Sequence, residues 1–529
     1  MPHDGVRPPA TAAAEAPLRF VTAASLFDGH DAAINMIRRL LQSQGAEVVH
    51  LGHNRSVAEI VRAAIQEDAH AVAVSSYQGG HNEYFAYMVD MLRELNASHI
   101  RVIVGGGGTI APHEIEALER HGVEKIYTPE DGRRLGLIGM IQDVFRRVRA
   151  AERPPLTLAP PSVKDHQQLA RCISLLEDEA AGRPGRDALR KALARNTRRA
   201  PVIGITGTGG AGKSSLNDEL LQRFVRCFPD KQIAIVAMDP TRRRSGGALL
   251  GDRIRMNSLA SPNLFMRSLA TRRQHAATSA VLRDVIDLYQ LAGFDLIIVE
   301  TAGIGQSDTE IVDLVDVSLY VMTSEYGAAS QLEKIDMLDF ADLIVLNKFE
   351  KRGALDALRD VRKQWRRNHP ERQTVADADV PVYPTIASRF NDPGVNRLFV
   401  ALCRALERKK PGGATWLTPD VSALEPPADA PLAREPLIPA ERVRYLAEIA
   451  ASGRAVRARI EAQAEAARRA QGLYESLRAL DDPLLPAPLE RYPATALREQ
   501  AADASQRALR SAYNAALDAL GADAIAALR

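Results

Sequence analysis

Residues 202–216 read VIGITGTGGAGKSSL: a β-branched apolar run, a glycine-rich segment and the beginning of an amphipathic stretch. Gly207 to Ser214 fits the pattern G-x-x-x-x-G-K-S, in which backbone N–H groups surround phosphates and the lysine approaches the terminal ones. A strand, a loop and a helix are expected here in the order that the pattern requires. The stretch therefore predicts an α/β nucleotide-binding domain with loop contacts from Gly210, Ala211, Gly212, Lys213, Ser214 and Ser215.

Acidic and hydroxyl side chains follow the later predicted strands of this region. Asp239 ends IVAMD, Asp252 lies in GDRIRM, and Glu300 ends DLIIVE directly before Thr301. Hard oxygen ligands of this kind are those that Mg²⁺ prefers. The predicted Mg²⁺ ligands are Ser214, Asp239, Asp252, Glu300 and Thr301. Catalytic roles are predicted for Lys213, Glu300 and Gly303, because the N–H of Gly303 can meet a γ-phosphate.

The stretch VLNKFE supplies the residues that are predicted to recognise the nucleotide base: Asn347, Lys348, Phe349 and Glu350. A carboxylate at this position can accept the N1–H and the exocyclic N–H₂ of guanine together. Adenine lacks that donor pair, so GTP is predicted over ATP. Glu350 stands where aspartate is usual, which adds one methylene to the reach. Arg255 is a further predicted nucleotide contact.

The residue after the switch glycine departs from the Ras-like pattern. Ras-like GTPases place a water-orienting glutamine there, whereas this chain has Ile304. We therefore expect slow intrinsic hydrolysis that a partner or a conformational change completes. Gln306 and the arginines 242–244 are alternative candidates for that role.

Residues 18–152 form a second α/β pattern at the front of the chain. The runs RFVTAASL, EVVHLG, AVAVSSY, RVIVGGG and EKIYT alternate with helical patterns. This alternation predicts a doubly wound, flavodoxin-like parallel sheet, whose ligands sit at the carboxyl ends of the strands. His30 follows the first strand at that edge. Asp28 can fix its Nδ1–H and leave Nε2 for a metal that already carries other ligands.

Two proline-rich segments separate the predicted domains. We expect a disordered tail (1–17), the first α/β domain (18–152), a linker (153–165), the nucleotide domain (166–412), a second linker (413–440) and a helical connector (441–529). The Ala/Arg/Leu-rich connector has helical periodicity with alternating charge, which is typical of an exposed helical face.

Composition excludes several classes of function. The net charge of +2 gives no electrostatic reason to expect nucleic acid. The three cysteines, Cys172, Cys227 and Cys403, match no metal or disulfide spacing and fit a reducing compartment. No signal peptide and no long apolar span is recognised, so we expect a cytoplasmic protein that does not enter a membrane.

The front domain resembles the cobalamin-binding family. Its D-x-H-x-x-G signature is similar to DGHDAA, with Ala33 in place of the last glycine. The resemblance implies that His30 ligates cobalt and that the cofactor's nucleotide tail lies beside the sheet. It also implies contacts from Asp28, Gly29, Ser75, Tyr77, Gly107 and Gly108. Tyr77 stands where leucine is usual, and either departure narrows the tail groove unless the small residues of SYQGGHNEYF offset it.

The nucleotide domain resembles the G-protein chaperones of adenosylcobalamin-dependent acyl-CoA mutases, through DPT…GGALLGDRIRM and VETAGIGQSD. The resemblance implies adenosylcobalamin and Mg²⁺ as cofactors, GTP as the substrate of the gating domain, and a radical carbon-skeleton rearrangement of an acyl-CoA. It further implies a (β/α)₈ substrate barrel outside these residues, a homodimer, and an adenosyltransferase that delivers the cofactor. Two alternatives remain open: a free-standing cobalamin-delivery GTPase, and a corrinoid methyl carrier joined to an unrelated GTPase.

Overall fold

The computed structural model divides into two compact units, Met1–Arg434 and Glu435–Arg529. It describes residues 16–106, 108–156, 161–178, 185–242, 245–271, 281–301, 303, 308–326, 332–409, 415–425, 444–498 and 503–529. The predicted tail therefore lies almost entirely outside the described residues, as do most of the predicted linker 413–440 and the candidates Ile304 and Gln306.

The first sheet is parallel and has the flavodoxin-like order. Its strands are β1 (Arg19–Ser25), β2 (Glu47–Arg55), β3 (Ala71–Ser75), β4 (Arg101–Gly105), β5 (Lys125–Tyr127) and β8 (Ala248–Leu250). They are arranged β5-β4-β3-β1-β2-β8. The five strands from the front of the chain thus confirm the predicted fold, with its topological switch between β1 and β3. The sixth strand comes from the nucleotide domain and was not predicted.

The second sheet is also parallel, with the order β13-β12-β11-β6-β10-β7-β9. Its strands are β6 (Val202–Gly207), β7 (Ile233–Asp239), β9 (Leu264–Ala270), β10 (Leu296–Glu300), β11 (Val317–Thr323), β12 (Leu343–Asn347) and β13 (Val382–Pro384). The apolar runs PVIGIT, QIAIVAMD, DLIIVE, VSLYVM, DLIVLN and VPVYPTI predict six of these strands, but no such run predicts β9. Every residue of β9 is buried, although it contains Arg267 and Ser268, whose polarity interrupts the apolar pattern.

The helices of the first unit cover both sheets. They are α1 (Asp31–Ser43), α2 (Val57–Gln66), α3 (His81–Glu94), α4 (Pro112–His121), α5 (Pro129–Ala150), α6 (His166–Glu177), α7 (Arg186–Ala194), α8 (Lys213–Cys227), α9 (Leu282–Ala292), α10 (Met337–Phe340), α11 (Ala354–Asn368), α12 (Pro393–Lys409) and α13 (Pro419–Ala423). Short 3-10 turns occupy Asp252–Arg255, Asn257–Ala260, Asp308–Leu314, Ser324–Tyr326 and Pro370–Arg372.

A buried charged network joins the two α/β domains. The Arg19 guanidinium lies 2.7 Å from Glu47 and 3.1 Å from Glu177, and Arg253 lies 3.1 Å from Glu67. Burial alone would lower the pKa of Arg19, but the carboxylates of Glu177, Glu47 and Glu67 raise it instead. Because removing one member would leave a buried charge unpaired, this network fixes how the domains meet.

The second unit is helical, as predicted. It contains α14 (Tyr445–Ala479), α15 (Ala494–Leu497), α16 (Ala504–Leu520) and α17 (Ala522–Leu528). Only the carboxyl-terminal part of α14 is packed, around a small core that includes Leu477, Tyr492 and Tyr513. Arg510 and Asp482 form an ion pair within it that is fully buried. Among the described residues of the whole chain, no helix is both long and apolar enough to cross a bilayer.

Acidification is expected to destabilise the front domain through its buried imidazoles. Burial, and then the charge of Arg153, lower the pKa of His70 to about 4, and Arg19 N donates to its Nδ1 at 3.0 Å. The unfolded chain binds a proton near pH 6.5, so this contribution to stability is complete above that pH and is lost as the pH falls toward 4. The loss is at most about 3 kcal/mol. The free energy of unfolding, measured with urea across this pH window, should depend less steeply on pH in His70→Asn than in the unaltered protein. The asparagine amide oxygen can still accept from Arg19 N, but it does not titrate. An unchanged slope would contradict the assignment to His70.

Candidate functional site

The predicted phosphate loop lies between β6 and α8. Gly207, Gly210 and Gly212 have φ values of +139°, +76° and +94°, a region that favours glycine. A Cβ on Gly207 would overlap the carbonyl of Val321 in the neighbouring strand, so no side chain fits there. The loop can therefore direct its backbone N–H groups toward a bound phosphate at the amino terminus of α8.

Lys213 and Gly303 meet inside this loop. Lys213 Nζ donates to Gly207 O at 3.0 Å and to Thr208 O at 3.3 Å. Gly303 has φ +66°, and a Cβ on it would collide with Lys213 Nζ and Gly207 O. The structure thus brings together two of the predicted catalytic residues and explains why position 303 accepts only glycine.

Two carboxylates, Glu300 and Asp252, contact the Ser214 hydroxyl, and a third, Asp239, lies near enough to be repelled by both. Ser214 Oγ lies 2.7 Å from Glu300 Oε1 and 2.9 Å from Asp252 Oδ1. Burial and then repulsion from Asp252 raise the pKa of Glu300 to about 7. Burial and repulsion from Asp252 also raise the pKa of Asp239, whose Oδ2 accepts from Gly251 N at 3.0 Å. Such crowding of negative charge is relieved by a divalent cation.

Two other residues predicted for this site, Thr301 and Arg255, do not contact Ser214 in the structure. Thr301 is buried, and its hydroxyl is engaged with Thr206 Oγ1 at 2.8 Å, so it faces β6. Arg255 is 61% exposed and lies 3.9 Å from Asp252. Within the described residues no three His, Cys, Asp or Glu side chains form a complete metal cage. Phosphate oxygens and water would have to complete the coordination of Mg²⁺, as is common for this ion.

The base-side residues are tied directly to the phosphate loop. Asn347 Nδ2 donates to Ala211 O at 2.8 Å, and Lys348 Nζ donates to Gly210 O at 2.8 Å. Asn347 Oδ1 also accepts from the N–H of Ala387, in the loop that follows β13. Glu350 remains exposed at the end of this segment. The arrangement leaves the Glu350 carboxylate accessible to a base while the Asn347 amide organises the loops around it.

Asp28 organises the loop that carries His30. Its buried carboxylate accepts from His30 N at 2.8 Å, from His30 Nδ1 at 2.9 Å and from Tyr77 N at 2.7 Å. The His30 side chain is 76% exposed, and no described residue bonds its Nε2. Asp28 therefore fixes the tautomer with the proton on Nδ1, and Nε2 keeps its lone pair for a ligand outside the chain.

An apolar cleft of about 270 Å³ opens between α1, α5 and the carboxyl ends of β3 and β4. Ala33 and Tyr77, the two departures from the family signature, both line this cleft. The Ser75 hydroxyl also lines the cleft; it is buried and lacks a hydrogen-bond partner among the described residues. Such an orphaned group in an apolar cleft suits a ligand that supplies one polar atom.

Of the three glycines predicted to contact the cofactor, two are described by the structure, and neither is among the residues that line the cleft. Gly105 lines it, and a Cβ there would meet nothing within 4 Å, so its backbone is open to a ligand. Gly108 has φ +91° and lies near Pro129. Gly29 is exposed beside His30, and Gly107 lies outside the described residues.

Sequence reasoning missed several residues that support these sites. Asn217 Nδ2 donates to Glu300 Oε2 at 3.1 Å, and Asn54 Oδ1 accepts from Phe27 N at 2.8 Å beside Asp28. Asn217 lies one helical turn after Ser214, so the 3.6-residue periodicity of α8 was a usable signal. The sequence carries no such signal for Asn54, because its partner Phe27 lies in the turn after another strand, 27 residues away.

Fold and site together define a cobalamin-binding domain joined to a P-loop GTPase. Residues 18–131 match the B12 binding domain family, and residues 169–414 match the family described as methylmalonyl Co-A mutase-associated GTPase MeaB. More particularly, the chain matches the cobalamin-binding and GTPase half of the fused isobutyryl-CoA mutases.

Curated relatives that carry that name include proteins from three bacterial species that are more than half identical to this chain. The protein of Geobacillus kaustophilus is 53% identical over 465 residues, which cover 85% of this chain and 42% of the relative. The protein of Cupriavidus metallidurans is 53% identical, with 86% and 41% covered, and that of Nocardia farcinica is 54% identical, with 86% and 42% covered. The chain thus spans about two-fifths of the length of these relatives.

Proposed function

We propose that this chain binds adenosylcobalamin through His30 and uses GTP hydrolysis, with Mg²⁺, to gate loading and release of that cofactor for an isobutyryl-CoA mutase. The observation that carries the proposal is the exposed His30 imidazole, fixed by buried Asp28 beside an apolar cleft. The mutase assignment is supported over a free-standing delivery protein by the name that the three relatives share.

The residues at the cleft fit the cofactor in their chemistry. His30 Nε2 is the group that would ligate cobalt, and Asp28 would raise the basicity of the imidazole. The cleft would hold the apolar base of the nucleotide tail, with the Ser75 hydroxyl as its polar partner. When bound, adenosylcobalamin supplies a carbon-centred radical. The chain's own contribution is to bind and orient the cofactor and to exclude water from the cleft.

The GTPase residues divide into binding and charge-stabilising groups. Lys213 and the loop N–H groups would hold the β- and γ-phosphates, where negative charge develops during hydrolysis. Ser214, Asp252, Glu300 and Asp239 would hold Mg²⁺, which neutralises phosphate charge when it is bound. The exposed Glu350 carboxylate would accept from guanine. Gly303 would leave space for the γ-phosphate beside the lysine.

The remaining roles concern groups outside this chain and stay predictions. We propose an acyl-CoA substrate, interconverted between isobutyryl-CoA and n-butyryl-CoA on a barrel domain, together with a homodimeric assembly. An adenosyltransferase would deliver the cofactor in the cytoplasm. Neither nucleic acid nor a membrane is part of the proposal, in keeping with the net charge of +2.

Two measurements on the purified chain test the core of the proposal. Titration with adenosylcobalamin should give a saturable change in the visible spectrum of the cofactor. The chain should also hydrolyse GTP in preference to ATP, and Glu350→Ala should narrow that preference by roughly tenfold, since a lost charge-assisted hydrogen-bond pair is worth about 1.5 kcal/mol or more. Absence of a saturable spectral change would contradict cobalamin binding. Equal hydrolysis of GTP and ATP would contradict the assignment of the nucleotide.

A further inference from the structure

The 3-10 turn Asp252–Arg255 contacts both the GTPase site, through Asp252, and the cobalamin-binding domain, through Arg253 and Ile254. Asp252 Oδ1 accepts from Ser214 Oγ at 2.9 Å, and the preceding Gly251 N donates to Asp239 Oδ2 at 3.0 Å. Directly upstream, β8 pairs with Glu47–Val49 of β2. The turn is therefore fixed both to the carboxylates proposed for Mg²⁺ and to an edge of the other sheet.

Successive side chains of this turn face the front domain. Arg253 is buried and donates to Glu67 Oε1 at 3.1 Å. Ile254 lies over Gly52 of β2: a Cβ on that glycine would be 2.8 Å from Ile254 Cδ1. Arg55 Nη2 donates to Ile254 O at 3.4 Å. Displacement of Asp252 would therefore move Ile254 against the end of β2.

The end of β2 in turn holds the loop of His30. Asn54 lies two residues after Gly52, and its Oδ1 accepts from Phe27 N at 2.8 Å. Phe27 immediately precedes Asp28, which fixes the His30 ring. Phe27 and Asn54 both have positive φ, +62° and +56°, a conformation that costs energy for residues other than glycine. The hydrogen bond joins these two residues directly, so a change in one conformation acts on the other.

We propose that Ile254 and Asn54 are positioning residues that couple occupancy of the GTP site to the His30 loop. This inference rests on the proposed function, because it requires both ligands to bind. A ligand changes a distant site only through contacts that differ between two states of the protein. The contact between Ser214 Oγ and Asp252 Oδ1 is such a contact, because both oxygens are proposed ligands of the same cation and would change their separation when they bind it.

The test is a thermodynamic coupling measurement on the full chain. The Kd of adenosylcobalamin is measured by absorbance titration with and without Mg²⁺ and a non-hydrolysable GTP analogue. In the unaltered protein we expect the two Kd values to differ by roughly tenfold, within the usual range for coupled sites. In Asn54→Ala and in Ile254→Ala the ratio should fall to nearly one, while the affinity for each ligand alone changes far less.

Matched controls separate coupling from general strain. Asn96 has φ +55°, nearly that of Asn54, but lies at the end of α3, so Asn96→Ala imposes the same backbone penalty away from the His30 loop. Arg62 donates to Leu259 O at 2.9 Å across the same domain interface. Both Asn96→Ala and Arg62→Ala should retain the tenfold ratio.

The possible results separate a failure of the proposed function from a failure of the coupling through Ile254 and Asn54. If the unaltered chain binds neither cobalamin nor GTP, the proposed function fails and this inference fails with it. If both bind and the ratio persists in Asn54→Ala and Ile254→Ala, or is already one in the unaltered chain, only the inference is overturned. Coupling is reciprocal, so the analogue's affinity must change with cobalamin by the same factor.

Discussion

Lys213→Ala should lower GTP turnover by at least about 100-fold, the loss typical of removing one preorganised charge from a site where negative charge develops. The amine lies within the phosphate loop, 3.0 Å from Gly207 O and in contact with the position of Gly303. The alanine side chain supplies no positive charge and leaves the space of the lysine side chain empty. Steady-state phosphate release measures the effect directly.

Lys231→Ala is the matched control for this variant. Lys231 is also a lysine of the GTPase domain, but its Nζ pairs with Asp295 at 3.0 Å near the amino ends of β7 and β10, away from the phosphate loop. GTP turnover of the Lys231→Ala variant should equal that of the unaltered protein. Lys213→Ala retaining most of its turnover would refute the role of the loop.

His30→Ala should abolish ligation of cobalt by the protein. The imidazole is the exposed group at the mouth of the cleft, and the Asp28 contact at 2.9 Å keeps its Nε2 available. The most direct measurement uses the paramagnetic cob(II)alamin form with protein labelled in histidine nitrogen. If His30 is the axial ligand, the isotope changes the nitrogen splitting in the electron paramagnetic resonance spectrum.

The control for His30 is His113→Ala, since His113 is an exposed histidine at the beginning of α4. It should keep the isotope-dependent splitting. In His30→Ala the splitting should no longer respond to labelled histidine, and cobalamin affinity should fall by about tenfold or more. Isotope-dependent splitting in His30→Ala would assign the ligand to another residue.

The local patterns were sufficient for the sites themselves. The G-x-x-x-x-G-K-S spacing placed Lys213 and Ser214 at the amino terminus of a helix, and the D-x-H spacing placed Asp28 next to His30. Each of these relations spans a few residues, so the backbone geometry of one turn dictates it. The order of the first sheet also followed from the alternation of strands and helices.

Elements without a local signal were missed. β8 has three residues, and it is a strand because Glu47–Val49 offers an unpaired edge about 200 residues away. β9 was missed because Arg267 and Ser268 are buried by partners on other elements, Glu177 and Glu67. A polar residue predicts exposure unless its distant partner is known.

By itself, the sequence predicted the α/β fold of each domain and which neighbouring residues meet at each proposed site, because short spacings fix which groups meet within one strand, loop and helix. Only the tertiary structure decided how those sites are connected: Ile254 over Gly52, Asn54 beside Phe27, and β8 against β2. The contacts of Ile254 and of β8 form only when the two domains pack together, and Asn54 meets Phe27 only when β1 and β2 pair within the front domain.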